Sequence, residues 1–454
     1  MGLLKILTAV LILLFPLGEL GRINVYNEIS TTVNDILVFL IVTVWLVWLI
    51  LKKRFDGILK RKLAKPIFIF IFFAFLSLLF NYTSLKTPEF IISFLYLLRF
   101  VSYAGIYFII SGFDLKFKKV ILILMVISGT LIVLAGFIQY FFYPNLRNLY
   151  YLGWDEHLYR LFSSFLDPNF AATIISLYLI LILSILFSGL PPHPSLSLRE
   201  RVRGEGFTRM TQGMFLVLIS IFAFVALLLT YSRSGYLMFF TSTSLLLLIL
   251  GKKKFIAILL VVLTIGIIFL PKNLGGEGVK LLRTASVISR SEYLGNAITI
   301  FRDNPILGVG FNAYRYAQHR YGFIDDSNLR TSHAGAGTDN SFLFVLATTG
   351  IVGFAFYLYL WFKILKSCHR EQVLGSFGML NQVQHDTKKE SFQKAISIVI
   401  LACSVGLFVN AFFINSLFYP FVMEWMWILI GLNSSTGLRL RGSDSRSSEF
   451  KENR

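Results

Sequence analysis

The stretch KKKFIAILLVVLTIGIIFLPKNLGGEG, residues 252–278, shows how this chain is built. Three lysines precede an apolar run that reaches Pro271, and Lys272 then opens a polar segment of about 67 residues that lasts to Thr338. An apolar run of this length crosses hydrocarbon only as a helix, which satisfies its backbone polar groups internally. Similar runs recur along the chain, and the pattern predicts helices near 3–17, 33–51, 66–80, 89–111, 119–141, 168–188, 214–231, 235–250, 255–271, 339–362, 394–415 and 417–432. The expected fold is all-α, a polytopic membrane protein with about 12 transmembrane helices and one long, partly helical outer loop. Composition agrees: 56% of the 454 residues are hydrophobic, 15% are charged and mean hydropathy is +0.71, a balance foreign to water-soluble domains.

A net charge of +19 would suggest nucleic acid in a soluble protein, but here the basic residues punctuate short loops, and no nucleic-acid partner is expected. Seven Lys/Arg fall in 52–65, one in 81–89, and FDLKFKK at 113–119 is basic again. The positive-inside rule then places even-numbered loops and both termini in the cytoplasm. It places 142–167, the turn at Ser232 to Ser234, and 272–338 outside. Leu3 to Leu17 could pass for a signal-peptide core, but without a small-residue cleavage pattern it reads as a retained first helix. Cys368 and Cys403 have neither metal spacing nor an obvious partner. Two inner loops, 191–206 and 377–389, are out of character with their neighbours and read as insertions in tolerant positions, so His193 and His385 carry no function.

The polar segment is where soluble groups can be handled. Ser289 and Glu292 have capping-box spacing, Leu294, Ala297, Ile298 and Phe301 fall on one helical face, and Asn304-Pro305 ends the run. This predicts an amphipathic helix on the outer membrane face. GVGF at 308–311 makes a tight turn, after which Arg315, His319 and Arg320 alternate with tyrosines. Cations beside aromatic faces suit phosphates and sugar rings, and equally an interfacial belt. The segment holds eight Lys/Arg against five Asp/Glu, an unusual count for an outside loop that points to an anionic ligand.

Its exit carries His333 and then Asp339-Asn340. A carboxylate there, near arginines, suits a general base toward a hydroxyl, while Asp339 is also a good helix N-cap. Before it, LLLTYSRSGYLMFF at 227–240 puts Arg233 at the outer surface, where a guanidinium fork can grip a diphosphate or snorkel to lipid phosphate. HLYRLFSSFLDPNFAA at 157–172 brings Arg160, Asp167 and Asn169 to the outer entry of the next span, and Asp167-Pro168 also reads as a plain helix start. Arg99 and Glu424 lie inside spans, are costly in lipid, and are expected to pair or to meet a substrate head group.

Three strings together, LTYSRSGYL at 229–237, RSEYLGNAITIFRDNPILGVGFNAY at 290–314 and DNSFLFVLATTGIVG at 339–353, resemble the O-antigen ligase and Wzy-type polymerase superfamily. The likeness is clearest over about 130–360. It divides the chain into N-terminal helices at 1–130, a ligase/polymerase-like core at 131–366 including the outer loop 272–338, a cytoplasmic loop at 367–393, C-terminal helices at 394–432 and a tail at 433–454. The resemblance implies a glycosyltransferase of the bacterial inner membrane that moves a glycan from an undecaprenyl-diphosphate carrier to a glycan, lipid or protein acceptor on the outer face, without metal or other cofactor. It implies that Arg233 holds the diphosphate with Arg290 serving the same charge, and that Asp339 acts as base or orients the acceptor. Arg160, Asn169, Arg315, Arg320, His333, Asn340 and Arg99 are the further candidates for substrate contacts. Ligases commonly carry a histidine where this chain has Asp339, which puts transfer to lipid A core in doubt and leaves polymerisation of lipid-linked repeats at least as well supported. A transporter or flippase of lipid-linked glycans is the alternative of another class, but the two halves differ in loop plan. A non-catalytic assembly subunit would leave Arg233 and Asp339 free to vary.

Overall fold

The computed structural model describes residues 1–26, 29–53, 55–188, 201–271, 279–280, 285–326, 329, 337–377 and 387–434. In chain order the helices are α1 (Gly2–Leu14), α2 (Val33–Lys52), α3 (Asp56–Leu59), α4 (Ala64–Phe80), α5 (Thr87–Ser111), α6 (Leu115–Phe142), α7 (Pro168–Ser188) and α8 (Arg201–Leu229). They continue as α9 (Arg233–Ile249), α10 (Lys254–Ile268), α11 (Ala285–Asp303), α12 (Tyr314–Arg320), α13 (Ser341–Phe377), α14 (Thr387–Ala411) and α15 (Pro420–Leu432). Among the described residues seven helical stretches are long and apolar enough to cross a bilayer, and five shorter apolar helices accompany them. The all-α polytopic class therefore holds, whereas helix length alone does not establish twelve crossings.

The chain alternates direction, as contacts at the two ends of the bundle show. At one end Lys5 pairs with Asp114, Arg61 donates to Ser111 O, and Lys118 reaches the carbonyl of Ser434. At the other, Arg320 donates to Ser84 O, Tyr419 to Glu19, and Arg160 to Thr230 O. Helix α7 is buried along nearly its whole length, with α8, α9 and α14 packed around it. Helix α10 is the opposite case: Leu263 is its one buried residue, and Ile258, Leu260, Val261 and Ile265 all point outward. An apolar surface of that kind is stable against hydrocarbon rather than water.

One two-stranded element departs from the all-helical expectation. Arg22–Tyr26 pairs antiparallel with Ile29–Thr32, Arg22 opposite Thr32, and closes the end of α1 over the start of α2. Thr32 and Asp35 then form a capping box: Thr32 Oγ1 accepts from Asp35 N at 3.2 Å and Asp35 Oδ2 accepts from Thr32 N at 2.9 Å.

Helix α11 also corrects its expected form. It begins at Ala285, so Ser289 lies inside it rather than ahead of it, and over 290–303 the buried positions are Ala297 and Ile300 while Leu294 is exposed. That face packs on α13, so the helix is held by protein. Past Asp303 the chain locks into a break in α13. At Gly350 (φ 63°) the helix is interrupted; Ile351 N donates to Pro305 O at 2.8 Å, while Val309 N and Gly310 N donate to Ala347 O and Thr348 O, each at 3.0 Å. Those bonds satisfy backbone groups that the break would otherwise leave bare. Both sides need glycine, since a Cβ on Gly350 would stand 2.2 Å from Ile306 O and one on Gly308 2.4 Å from the Thr348 carbonyl carbon. Ser77 of α4 donates to Leu307 O at 2.6 Å and Asn81 to Gly308 O at 3.0 Å, fastening the lock to the bundle.

Candidate active site

The turn between α8 and α9 is built by its serine and glycine. Tyr231 takes the left-handed conformation (φ 50°), and Ser232 caps α9 by accepting from Gly235 N at 3.3 Å. The same hydroxyl donates to Asn169 Oδ1 at 3.0 Å, tying the start of α9 to the start of α7. Gly235 permits the approach, because a Cβ there would lie 2.5 Å from that of Ala172. Arg233 is thereby fixed at the first position of α9, partly exposed, at the rim where α7, α9, α11 and α13 present their ends.

At α13 the cap falls one residue later than the Asp339 expected from sequence. Asn340 Oδ1 accepts from Phe342 N at 2.9 Å and Leu343 N at 3.0 Å, so Asn340 rather than Asp339 caps the helix. Its Nδ2 donates to Phe412 O at 3.4 Å. Asp339 is left to face Arg290 of α11, whose Nε stands 3.3 Å from Oδ2. The Asp339 side chain is 46% exposed, so the pair is open to a ligand. Burial holds its carboxyl above the ordinary range, Arg290 pulls it down, and the charges of Asp167 and Asp155 push it up. Burial, and then the charges of Asp339, Glu292 and Asp155, raise the Tyr293 phenol in turn. Arg290 also acts electrostatically on Arg233. Two guanidiniums that act on one another at a partly exposed rim are donors of the kind that bind an anion.

The remaining candidates fall elsewhere. Arg160 is 4% exposed and gives Nε to Thr230 O at 2.9 Å and Nη2 to Tyr231 O at 3.5 Å. It supports the turn behind Arg233. Arg99 does not pair with Glu424: its Nη2 lies 2.8 Å from Asp35 Oδ2, and Glu424 Oε2 accepts from Asn34 Nδ2 at 3.0 Å. The first turn of α2 supplies both partners, which hydropathy could not reveal. Arg320 reaches Ser84 O at 3.1 Å, toward the α4–α5 connection, and Arg315 is half-buried on the same short helix. His333 lies outside the described residues. Asp167 caps α7 through Asn169 N and Phe170 N, and its other oxygen stands 3.7 Å from His157 Nε2. Neither His157 nor the hydroxyl of Ser232 carried a role in sequence; for Ser232 the signal was a hydroxyl one residue before the arginine that opens an apolar run.

Residues 218–358 match the family model of the O-antigen ligases, Wzy_C. The match supports membership of the O-antigen ligase/Wzy superfamily. It begins later than the resemblance noted above, and it contains Arg233, Arg290, Asp339, Asn340 and both glycines of the lock, whereas Arg99, Arg160 and Asn169 lie before it. No curated protein matches the chain. The ligase-type domain thus spans the end of α8 to the upper half of α13, and a glycosyltransferase-type activity on lipid-linked glycans is what this family suggests.

Proposed function

We propose that this protein transfers a glycan from an undecaprenyl-diphosphate carrier to an acceptor hydroxyl on the outer face of the bacterial inner membrane, in cell-surface polysaccharide or lipopolysaccharide synthesis. The observation that carries the reading is the division of labour at α13: Asn340 caps the helix, and Asp339 is released to stand against Arg290 beside Arg233. In the proposed step the acceptor oxygen attacks the anomeric carbon, the bond from that carbon to the carrier phosphate breaks, and the electron pair leaves on the diphosphate. Asp339 takes the hydroxyl proton, for which a carboxylate of raised proton affinity is suited. Arg233 and Arg290 face the charge that grows on the leaving group, so they favour the transition state over the bound substrate. Lysine-rich connections at the opposite end of the bundle support a cytoplasmic placement for that end and for both termini.

The test is reconstitution in proteoliposomes with a lipid-linked oligosaccharide, comparing wild type with Arg233→Ala and Asp339→Asn. Both variants should lose product by about 10²-fold or more while remaining folded. A ladder of longer glycans identifies a polymerase, and one new glycoconjugate identifies a ligase. Normal product from Arg233→Ala at normal protein level would refute the assignment.

A further inference from the structure

Helices α2 and α15 meet in a polar cluster beneath the hairpin, outside the matched segment. Glu424, one turn into α15, is fully buried, and Asn34 in the first turn of α2 is 1% exposed. One hydrogen bond joins them, Asn34 Nδ2 to Glu424 Oε2 at 3.0 Å. The other heteroatom of each side chain, Glu424 Oε1 and Asn34 Oδ1, is buried with no hydrogen-bond partner. Two bare oxygens thus belong to a pair of side chains already in contact, which is costly wherever water is excluded.

The surrounding charges cancel without Glu424. Arg99 of α5 neutralises Asp35 of α2 at 2.8 Å, and Arg22 of the hairpin neutralises Glu19 at 2.7 Å. The phenols nearby are Tyr103, which donates to Asp35 Oδ1 at 3.0 Å, and Tyr419, which donates to Glu19 Oε1 at 3.1 Å. Tyr107 lies farther along α5, near Gly431. Helix α7 and residues 395–411 of α14, which also pack on α15, contain no Asp, Glu, Lys, Arg or His; Cys403 is the thiol on that side. An ionised Glu424 would therefore be one uncompensated negative charge inside a span.

We infer that Glu424 and Asn34 form a proton-binding site: Glu424 carries a proton on Oε1 and donates it to Asn34 Oδ1, closing an acid–amide ring with the existing bond from Nδ2 to Oε2. One proton removes both bare oxygens and the surplus charge together. A buried water would satisfy the oxygens and leave the charge in place, so it explains only part of the cluster. The ring clasps α2 to α15 and so joins the helices that flank the ligase-type domain on its two sides.

The test uses the full chain in nanodiscs. Infrared spectroscopy of wild type at neutral pH should show a protonated-carboxyl C=O band that Glu424→Gln removes and Asn34→Leu shifts toward a free acid. Glu424→Gln keeps the ring, since its amide nitrogen donates to Asn34 Oδ1. Wild type should accordingly lose melting temperature toward alkaline pH, and Glu424→Gln should lose less. No such band in wild type, or a band unchanged in both variants, overturns the proposal. A melting temperature that follows sodium concentration in place of pH also overturns it, and would make this a cation site.

Discussion

Two arginine–aspartate pairs sit at the same end of this molecule, and they differ in what is left over. Asp35 has 8% of its side chain exposed, and both oxygens are engaged: Oδ2 accepts from Arg99, Thr32 N and Thr32 Oγ1, and Oδ1 accepts from Tyr103. Asp339 is 46% exposed, is relieved of capping by its neighbour, and takes one bond from Arg290 among the described residues. The first pair is closed on itself and spends its charge on holding α2 against α5. The second keeps acceptor capacity on Asp339 at a rim where Arg290 also acts on Arg233. Similar residue types serve structure in one place and suit chemistry in the other, and the difference lies in valence and exposure.

That contrast can be broken at its closed end first. Arg99→Ala leaves Asp35 as a buried carboxylate without its cation, and should cost about 3–5 kcal/mol of stability, read as a large loss of folded protein or melting temperature. If Arg99→Ala folds as well as wild type, the pair is no structural clasp. At the open end, Arg290→Ala should behave inversely, with glycan transfer down by about 10²-fold and melting close to wild type. Smaller effects sharpen the picture. Asn340→Ala removes the cap of α13 at about 1 kcal/mol, and Asp339 should then turn to capping, so activity falls more than stability does. An Asn340→Ala protein with full activity would argue that Asp339 never needed release.

The smallest effect is a shift in pH dependence. Activity that needs the Asp339 carboxylate should fall on acidification at a pH above the ordinary carboxylate range, because burial raises that group. Arg290→Gln removes the cation that opposes this rise, so the fall should move to still higher pH. For stability the sign is reversed: a carboxyl raised in the folded state contributes most below its unfolded value, and that contribution is lost as pH climbs through the raised one. A pH–rate profile of wild type and Arg290→Gln that coincide would separate Asp339 from proton transfer.

Much of the fold is written in hydropathy. The span predicted at 168–188 is α7 at Pro168–Ser188, and those at 33–51 and 235–250 meet α2 and α9 within two residues, since apolar length and flanking turns set helix ends in a bilayer. RINVY and ISTT carried too few residues to announce a hairpin against two neighbouring spans. The candidate site was legible only as residue types, in Arg233, Arg290 and Asp339, and the contacts of the candidate residues were not. Arg160 bonds to main-chain carbonyls, which have no signature in sequence, and Arg99 found its partner 64 residues away. The expected cap, Asp339, gave way to Asn340 because adjacent residues of similar capping ability differ only in which one the backbone turns inward.

The interlock of Pro305–Gly310 with the break at Gly350 imposes an order on biogenesis. Ser77 and Asn81 are made early, yet their acceptors at Leu307 and Gly308 lie 230 and 227 residues downstream, and Thr348 lies 271 residues on. Helix α4 must therefore wait in the bilayer without these tertiary partners, with the local bond from Asn81 to Ser77 O, until most of the chain has been inserted. A nascent chain halted after α10 should accordingly be a better client for membrane chaperones and proteases than one halted after α13.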